Sequence, residues 1–516
     1  MLKTNMMSNK KTSNARTAEK ICLALFFLIL AIGIALRFYQ HLMGRSLWED
    51  EAHIALNFMY FGYLGLMEPL QNYQTAPIFF LWSVETFCKI FGPGEISLRT
   101  FPFLVSIAAL PFFYFVVKRL SGNLLTAIIS FTVFALNISM IYYASEVKSY
   151  TIDVAIYIFI LYLLLSDHSF VARHRTKLLA VAGCLAIPYS NASVVVLFCA
   201  ALYMIATGWS KKMNENKTTL QLGIPTSQLV IFGSWTTVWL VNYFKFIHNH
   251  LYAEGMKNIW SWTFCPTPIF GKEFSDFIRM RIDDTIFTEM LFFTDKYYFP
   301  QILSALVVIS VVYNVYKKNW ALLLFTILPI LLHLVMSMFK MYPFFYRFIL
   351  YLLPPFIILV SSGVSAIVNL FPRKVGNIIS VPIALGYCYC CTYISIENFP
   401  SWRREIKPVI SYMNNKYPDK KIIVTTPLTL YTYYMDRGIA KNKNLIPIKW
   451  GIKPDEYYNS DIIKPLNDSY LLLYSVDGFA DGYKDVLNSL KEKGLILKQF
   501  EYKTYGVAEV KPLLNQ

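Results

Sequence analysis

The residues best equipped for chemistry lie in one short run, Ser46-Leu47-Trp48-Glu49-Asp50-Glu51-Ala52-His53. Three consecutive acids follow one long apolar segment and precede another, so their carboxylates are expected at a boundary between lipid and water. Partial desolvation there favours a raised pKa and suits a carboxylate to act as a general base. An acidic, fully solvated loop is the plain alternative. Cations recur at the ends of later apolar segments: Arg37, Arg99, Lys148 within Tyr142-Tyr-Ala-Ser-Glu-Val-Lys-Ser-Tyr150, and Arg347 within Tyr342-Pro-Phe-Phe-Tyr-Arg347. Each could merely snorkel to the interface. Taken together, one carboxylate and several cations can accept a proton and compensate developing negative charge. Asp50 and Glu51 would also suit a divalent cation, although the sequence does not require one. There is no CxxC or Cys/His metal spacing, no GxGxxG and no Walker loop.

The composition shows what must hold these groups in place. Of 516 residues, 56% are hydrophobic, 17% aromatic and only 16% charged. A typical soluble domain is about one quarter charged, so a wholly soluble protein is excluded, as are disorder and collagen-like repeats. Runs of about 20 apolar residues predict eleven membrane-spanning helices, near 21–41, 100–117, 123–142, 151–166, 178–189, 191–208, 226–247, 300–316, 320–339, 345–363 and 376–396. The fifth and sixth divide at Ile187-Pro-Tyr-Ser-Asn191, which interrupts a longer apolar stretch.

The net charge of +16 would suggest nucleic acid in a soluble chain. Here it sorts by side instead. With eleven spans, the basic clusters Lys3/Lys10/Lys11/Arg16/Lys20, Lys118/Arg119, Arg173/Arg175/Lys177, Lys211/Lys212/Lys217, Lys317/Lys318 and Arg373/Lys374 all fall on one face, which makes that face cytoplasmic. No nucleic-acid partner is then needed. Residues 1–20 become a cytoplasmic tail, 21–396 the multi-span module, 42–99 its first external loop and 248–299 a second, aromatic external loop. Ala76 to Gly92 is apolar but carries Glu85 and Lys89. With Ala52 to Leu66 it predicts a pair of interfacial helices within the first loop. Of the eight cysteines, only Cys88 and Cys265 fall outside the spans and would be available to pair. Residues 397–516 predict a small extracytoplasmic α/β domain in two units. Helical spacing over Arg403 to Lys416, a strand at Lys421 to Thr426 and a helical or extended segment at Leu428 to Met435 form the first. Strands near Tyr470 to Tyr474, Ile496 to Tyr502 and Val507 to Val510, with a helix at Tyr483 to Lys493, form the second.

The ordered set Arg37, Trp48-Glu49-Asp50-Glu51-Ala52, Ala76-Pro77, Phe91-Gly92 with Glu95 and Arg99, Ser145-Glu146-Val-Lys148-Ser-Tyr150 and Tyr346-Arg347 through Pro354 resembles the GT-C polyprenyl-phosphate-sugar-dependent glycosyltransferases. These include the protein O-mannosyltransferases, the aminoarabinose transferases and the lipopolysaccharide core transferases. The resemblance runs over about residues 20 to 360. It implies an extracytoplasmic active site beneath the first loop, with Asp50 catalytic and Glu51 assisting. Arg99, Lys148 and Arg347 are then candidate ligands of the donor phosphate, and Arg37, Glu146 and Tyr150 are candidate supports. The implied activity is transfer of a sugar from a polyprenyl-phosphate donor to an envelope glycan, lipid or protein, in an integral protein of the bacterial inner membrane. A phosphate leaving group needs no general acid, so one base suffices for an inverting displacement, unlike the two carboxylates of glycosidases. Thr75-Ala76-Pro77 departs from the aminoarabinose transferases, which carry a lysine just before that proline. The alternative from another class is a carrier or flippase for lipid-linked saccharides. The scarcity of charge deep within the spans and the absence of repeat symmetry stand against it.

Overall fold

The computed structural model describes residues 2–72, 74–214, 225–247, 258, 260–282, 286, 299–372, 382, 386, 389, 393, 399–400, 404–424, 428–448, 452–476 and 481–512. The chain folds as a helical bundle followed by a five-stranded sheet. The bundle comprises α1 (Leu2–Leu42), α2 (Glu49–Tyr60), α3 (Ile78–Phe91), α4 (Glu95–Ser121), α5 (Leu124–Leu136), α6 (Ile138–Ala144), α7 (Tyr150–Leu165), α8 (Ser169–Tyr189), α9 (Ser193–Asn214), α10 (Thr226–Asn242), α11 (Lys272–Met280), α12 (Phe299–Tyr316), α13 (Trp320–Met338) and α14 (Leu353–Val368). A 3-10 turn over Tyr346–Leu352 leads into α14.

Among the described residues, four stretches are long and apolar enough to cross a membrane: Lys20–Leu42, Glu95–Ser121, Trp320–Met338 and Tyr346–Val368. Two bent pairs raise the number to six if each counts as one span: α5 with α6, bent by 49°, and α7 with α8, bent by 120°. The chain is an integral membrane protein. The eleventh predicted span, 376–396, falls largely outside the described residues. The bend between α5 and α6 has a local cause. Asn137 ends α5 and caps α6, its side chain accepting from the Met140 N–H at 3.0 Å, which replaces one of the helix's orphan donors. The α4–α5 hairpin is made similarly. Gly122 takes φ +61° after α4, and the Asn123 side chain accepts from the N–H groups of Leu125 and Thr126. α8 ends at Tyr189 and α9 begins at Ser193, so the chain breaks just after Pro188, as the interrupted apolar stretch predicts.

Both stretches read from the sequence as interfacial helices are helical. Residues 52–66 form most of α2 and then a 3-10 turn at Gly65–Met67, and the second element is α3. With 14 residues, α3 is about 21 Å long, too short to cross a hydrocarbon core of about 30 Å. It packs on α4 and α8. Its Glu85 is buried and pairs with Lys89 one turn on at 3.1 Å. Cys88 and Cys265 are both free thiols, so the pairing open in the sequence is not made. Cys265 instead receives a backbone anchor, its N–H donating to Ser337 Oγ at 2.9 Å.

The C-terminal region contains α15 (Lys407–Lys416), β1 (Ile422–Val424), α16 (Leu428–Asp436), β2 (Leu445–Pro447), α17 (Pro454–Tyr458), β3 (Tyr470–Ser475), α18 (Asp481–Glu492), β4 (Ile496–Tyr502) and β5 (Tyr505–Val510). The strand order is β2-β1-β3-β5-β4, parallel across β2, β1 and β3 and antiparallel across β3, β5 and β4. The two units read from the sequence are thus one sheet. β2 escapes the sequence reading because three residues ending in proline carry no alternation, and β1 alone selects their register. One face of the sheet forms its own core with α17 and α18. The other face shares a single hydrophobic cluster with α2 and α3, in which Ile406, Met413, Tyr431 and Tyr434 pack with Leu47, Ile54, Leu81 and Val84.

Candidate active site

The acidic run forms the first turn of α2, where carboxylates meet the positive end of the helix dipole. Successive residues of a helix point about 100° apart, so the three acids face three different neighbourhoods. Each has different cationic partners.

Glu51 turns inward and is completely buried. Arg99, from the first turn of α4, donates to it twice, Nε to Oε1 at 2.8 Å and Nη2 to Oε2 at 2.5 Å. Arg45 approaches at 3.4 Å, and the Val147 N–H donates at 3.0 Å. Burial pushes the Glu51 carboxyl up, but the two guanidinium groups outweigh it and hold it below the usual carboxylate range. The remaining Arg99 bonds go to the carbonyls of Arg45 at 2.7 Å and Ser46 at 3.2 Å. Arg99 therefore faces the carbonyls and carboxylate that shape the loop before Asp50.

Asp50 turns toward the mouth of the bundle and is partly exposed. Lys148 Nζ lies 3.0 Å from Oδ1 and Arg347 Nη2 lies 3.2 Å from Oδ2. Gln74 closes the group, its amide accepting from Lys148 at 2.6 Å and donating to Asp50 at 3.4 Å. The sequence reading expects a desolvated carboxylate of raised pKa. Burial does push Asp50 upward, but Lys148 and Arg347 outweigh it, and its pKa lies well below the ordinary range. The expectation is corrected by two cations that come from points 98 and 297 residues away along the chain.

Glu49, the third acid, is held by Arg404 and by the Tyr505 hydroxyl from the C-terminal region. One turn further on, His53 Nε2 meets Thr429 Oγ1 at 3.1 Å. Burial pushes the His53 imidazole pKa down.

The elements behind these side chains explain their aim. Lys148 lies in a non-helical segment between α6 and α7. Two of its neighbours are tied to the acidic loop: the Ser145 carbonyl accepts from Arg45 at 2.7 Å, and the Val147 N–H reaches Glu51. Glu146 accepts from the Trp48 indole N–H at 2.8 Å. That indole lies under Arg347, whose Cζ is 5.1 Å from its centroid and 5.3 Å from the Trp260 centroid, within cation–π range. Just before Arg347, Tyr346 adopts φ +31°, a conformation that a non-glycine residue takes only at a cost. Tyr150 packs edge-on against Tyr143 and Phe348 at 5.6 and 6.2 Å. Arg37 does not reach the acids. It lies within the bundle, donating to Ser106 Oγ at 3.0 Å and to the carbonyls of Gly33 and Ala135 at 3.0 and 2.6 Å.

The structure thus brings Asp50, Lys148 and Arg347 together, with Glu146 bonded to Trp48 and Tyr150 packed on Tyr143 and Phe348. It places Arg99 one layer below on Glu51 and Arg37 elsewhere. Gln74, Arg45 and Arg404 were not singled out from the sequence, and Trp48 entered only as part of the acidic run, with no role of its own. Of the first three, Gln74 alone carried a signal, since it stands next to the Thr75-Ala76-Pro77 departure. Asp50 and Glu51 hold separate partners. Among the described residues, no group of three or more His, Cys, Asp or Glu side chains converges on a metal-sized site.

Residues 75–235 match the sequence model of the dolichyl-phosphate-mannose-protein mannosyltransferase family. The resemblance to the GT-C glycosyltransferase superfamily is borne out. The matched stretch contains Arg99 and Lys148 and excludes Asp50 and Arg347. With it the coarse function stands: a membrane glycosyltransferase of the class that uses a lipid-linked sugar. No curated protein matches the chain. Among solved structures, the ArnT protein of Cupriavidus metallidurans bound to undecaprenyl phosphate aligns at 11% identity and a TM-score of 0.46, over 94% of this chain and 97% of that one. The same protein in its apo state aligns at 12% identity and 0.44, over 96% and 98%. The apo oligosaccharyltransferase of Archaeoglobus fulgidus aligns at 10% identity and 0.48, over 89% and 71%.

Proposed function

We propose that this protein transfers a sugar from a polyprenyl-phosphate donor to a hydroxyl of an envelope glycan, lipid or protein, with inversion and with Asp50 as the base. The observation that carries the reading is the clasp of Asp50 between Lys148 and Arg347. In the resting site the two cations hold Asp50 ionised and poorly basic. A donor phosphate competes for both of them, because a phosphate offers more charge and more acceptor oxygens than one carboxylate. As they turn to the phosphate, the desolvation that already pushes Asp50 upward is no longer offset, and its basicity rises with donor bound.

The step then balances. The acceptor hydroxyl gives its proton to Asp50 while its oxygen bonds to the anomeric carbon. The bond from that carbon to the phosphate oxygen breaks, and the phosphate leaves with the electron pair against Lys148 and Arg347. Arg347, resting on Trp48, supplies a planar fork suited to phosphate oxygens. Arg99 and Glu51 support the floor of the site. A recess of about 200 Å³ beside Ala76 is lined by Leu66, Leu70, Ile78, Leu81 and Phe246 together with Glu68 and Lys245, and its apolar wall is suited to the first units of a polyprenyl tail. The charge asymmetry of the loops supports placing the site and the C-terminal sheet on the extracytoplasmic side of a bacterial inner membrane, with the N-terminus in the cytoplasm.

Comparative mass spectrometry of envelope lipids, glycans and glycoproteins from cells with the wild-type chain, a deletion and Asp50→Asn tests this reading. One sugar increment should be missing from both defective strains, with transfer by Asp50→Asn reduced by about 100-fold or more. An increment retained by Asp50→Asn at equal expression would refute the assignment of the base.

A further inference from the structure

Between Gly44 and Trp48, directly before α2, the chain forms no regular structure of its own. Far segments take its polar groups instead. The Gly44 carbonyl accepts from Lys407. The Ser46 N–H and hydroxyl both donate to the buried Glu405 carboxylate, at 2.8 and 2.9 Å. The Leu47 N–H donates to the buried Tyr434 hydroxyl at 3.0 Å, and Glu49 is held by Arg404 and Tyr505. A linker without such ties would sample several backbone conformations, and the direction of Asp50 would vary with the first turn of α2.

We infer that the C-terminal region acts as a clamp on the catalytic loop, with Glu405 and Tyr434 as positioning residues that fix the direction of Asp50. This rests on the reading of Asp50 as the base. Neither residue touches the reacting atoms. Each acts through the backbone of Ser46 and Leu47, three to four residues before Asp50. The same bonds explain why the sheet shares a hydrophobic cluster with α2 and α3: apolar packing holds the two bodies together, and the polar ties set the loop against them. A face devoted to acceptor recognition would instead keep Glu405 and Tyr434 available to solvent, yet both are buried.

The test uses the full-length protein reconstituted with envelope-lipid extract of the producing cells as the source of donor and acceptor. Sugar transfer is followed by mass spectrometry at increasing extract, and undecaprenyl phosphate binding is measured separately. Tyr434→Phe and Glu405→Ala should lower turnover at saturation by about 10- to 100-fold, the penalty of a small displacement of a reacting group. The half-saturating extract and the undecaprenyl phosphate affinity should stay within about twofold. Glu405→Gln, which keeps one acceptor oxygen for Ser46, should restore much of the turnover. Wild-type turnover in both variants overturns the inference, and so does a loss seen only in the half-saturating extract, which would assign this face to the acceptor. Should Glu405→Ala fail to accumulate, Tyr434→Phe decides, since it keeps the packed ring and removes one hydroxyl. Asp50→Asn is measured in parallel. If it transfers, the reading of the base falls; if it is inactive while the two variants turn over normally, only the clamp falls.

Discussion

Arg99→Met separates a structural arginine from a phosphate ligand. Arg99 and Glu51 are almost wholly removed from solvent and joined by two bonds of 2.8 and 2.5 Å. Without Arg99, the Glu51 carboxylate keeps only Arg45 at 3.4 Å and the Val147 and Trp48 N–H groups at 3.0 and 3.4 Å. Removing one partner of a buried, hydrogen-bonded ion pair costs about 3–5 kcal/mol, most of it the penalty of the charge left behind. The loop carbonyls of Arg45 and Ser46 lose their donor as well. Arg99→Met should therefore lower the unfolding free energy in mild detergent by about 3 kcal/mol or more. The double variant Arg99→Met/Glu51→Leu should recover a large part of that loss, because an apolar pair removes the stranded charge. The assay is denaturant unfolding of the purified protein, with undecaprenyl phosphate binding measured on the folded fraction. An Arg99→Met protein as stable as wild type but with weakened phosphate binding would refute the structural assignment and restore Arg99 as a donor ligand.

Because Glu51 has its pKa lowered in the fold, the stability it contributes is present above the unfolded carboxylate pKa of about 4 and is lost as pH falls through the lower folded value. Unfolding measured against pH should show that acid-side loss in wild type and a smaller one in Glu51→Gln. Lys148→Met leaves the burial of Asp50 less opposed, so the acid limb of the transfer rate should move to higher pH, and an unmoved limb would separate Lys148 from the base. Gly363 of α14 faces α12 so closely that an added Cβ would lie 2.1 Å from the Leu306 carbonyl oxygen. Gly363→Ala should cost about 1–3 kcal/mol, read as lower yield and earlier unfolding at unchanged phosphate affinity.

Much of the architecture can be read directly because lipid imposes it. Apolar length, the short span of α3 and the break after Pro188 are local properties of the chain, and each appears where local physics places it. The strands β3, β4 and β5 announce themselves by apolar runs and alternation, whereas β2 exists only as the neighbour of β1.

The sequence by itself determined that the chain lies in a membrane, that its acids cluster at the end of the first apolar helix, and that cations recur at the ends of later ones. Composition and spacing could not sort Glu49, Asp50 and Glu51, and only the family resemblance separated Asp50 from Glu51, because neighbouring acids in a linear string carry the same chemistry. The tertiary structure sorted them by helical geometry: about 100° of rotation per residue turns one acid toward the C-terminal sheet, one toward the open mouth and one into the core. It likewise reversed the expected pKa of Asp50. Desolvation follows from a residue's local setting, but the opposing charges arrive from Lys148 and Arg347, and only folding brings those segments within reach. For the same reason Arg37 and Arg99, indistinguishable in type from Arg347, are bound to other partners in the fold.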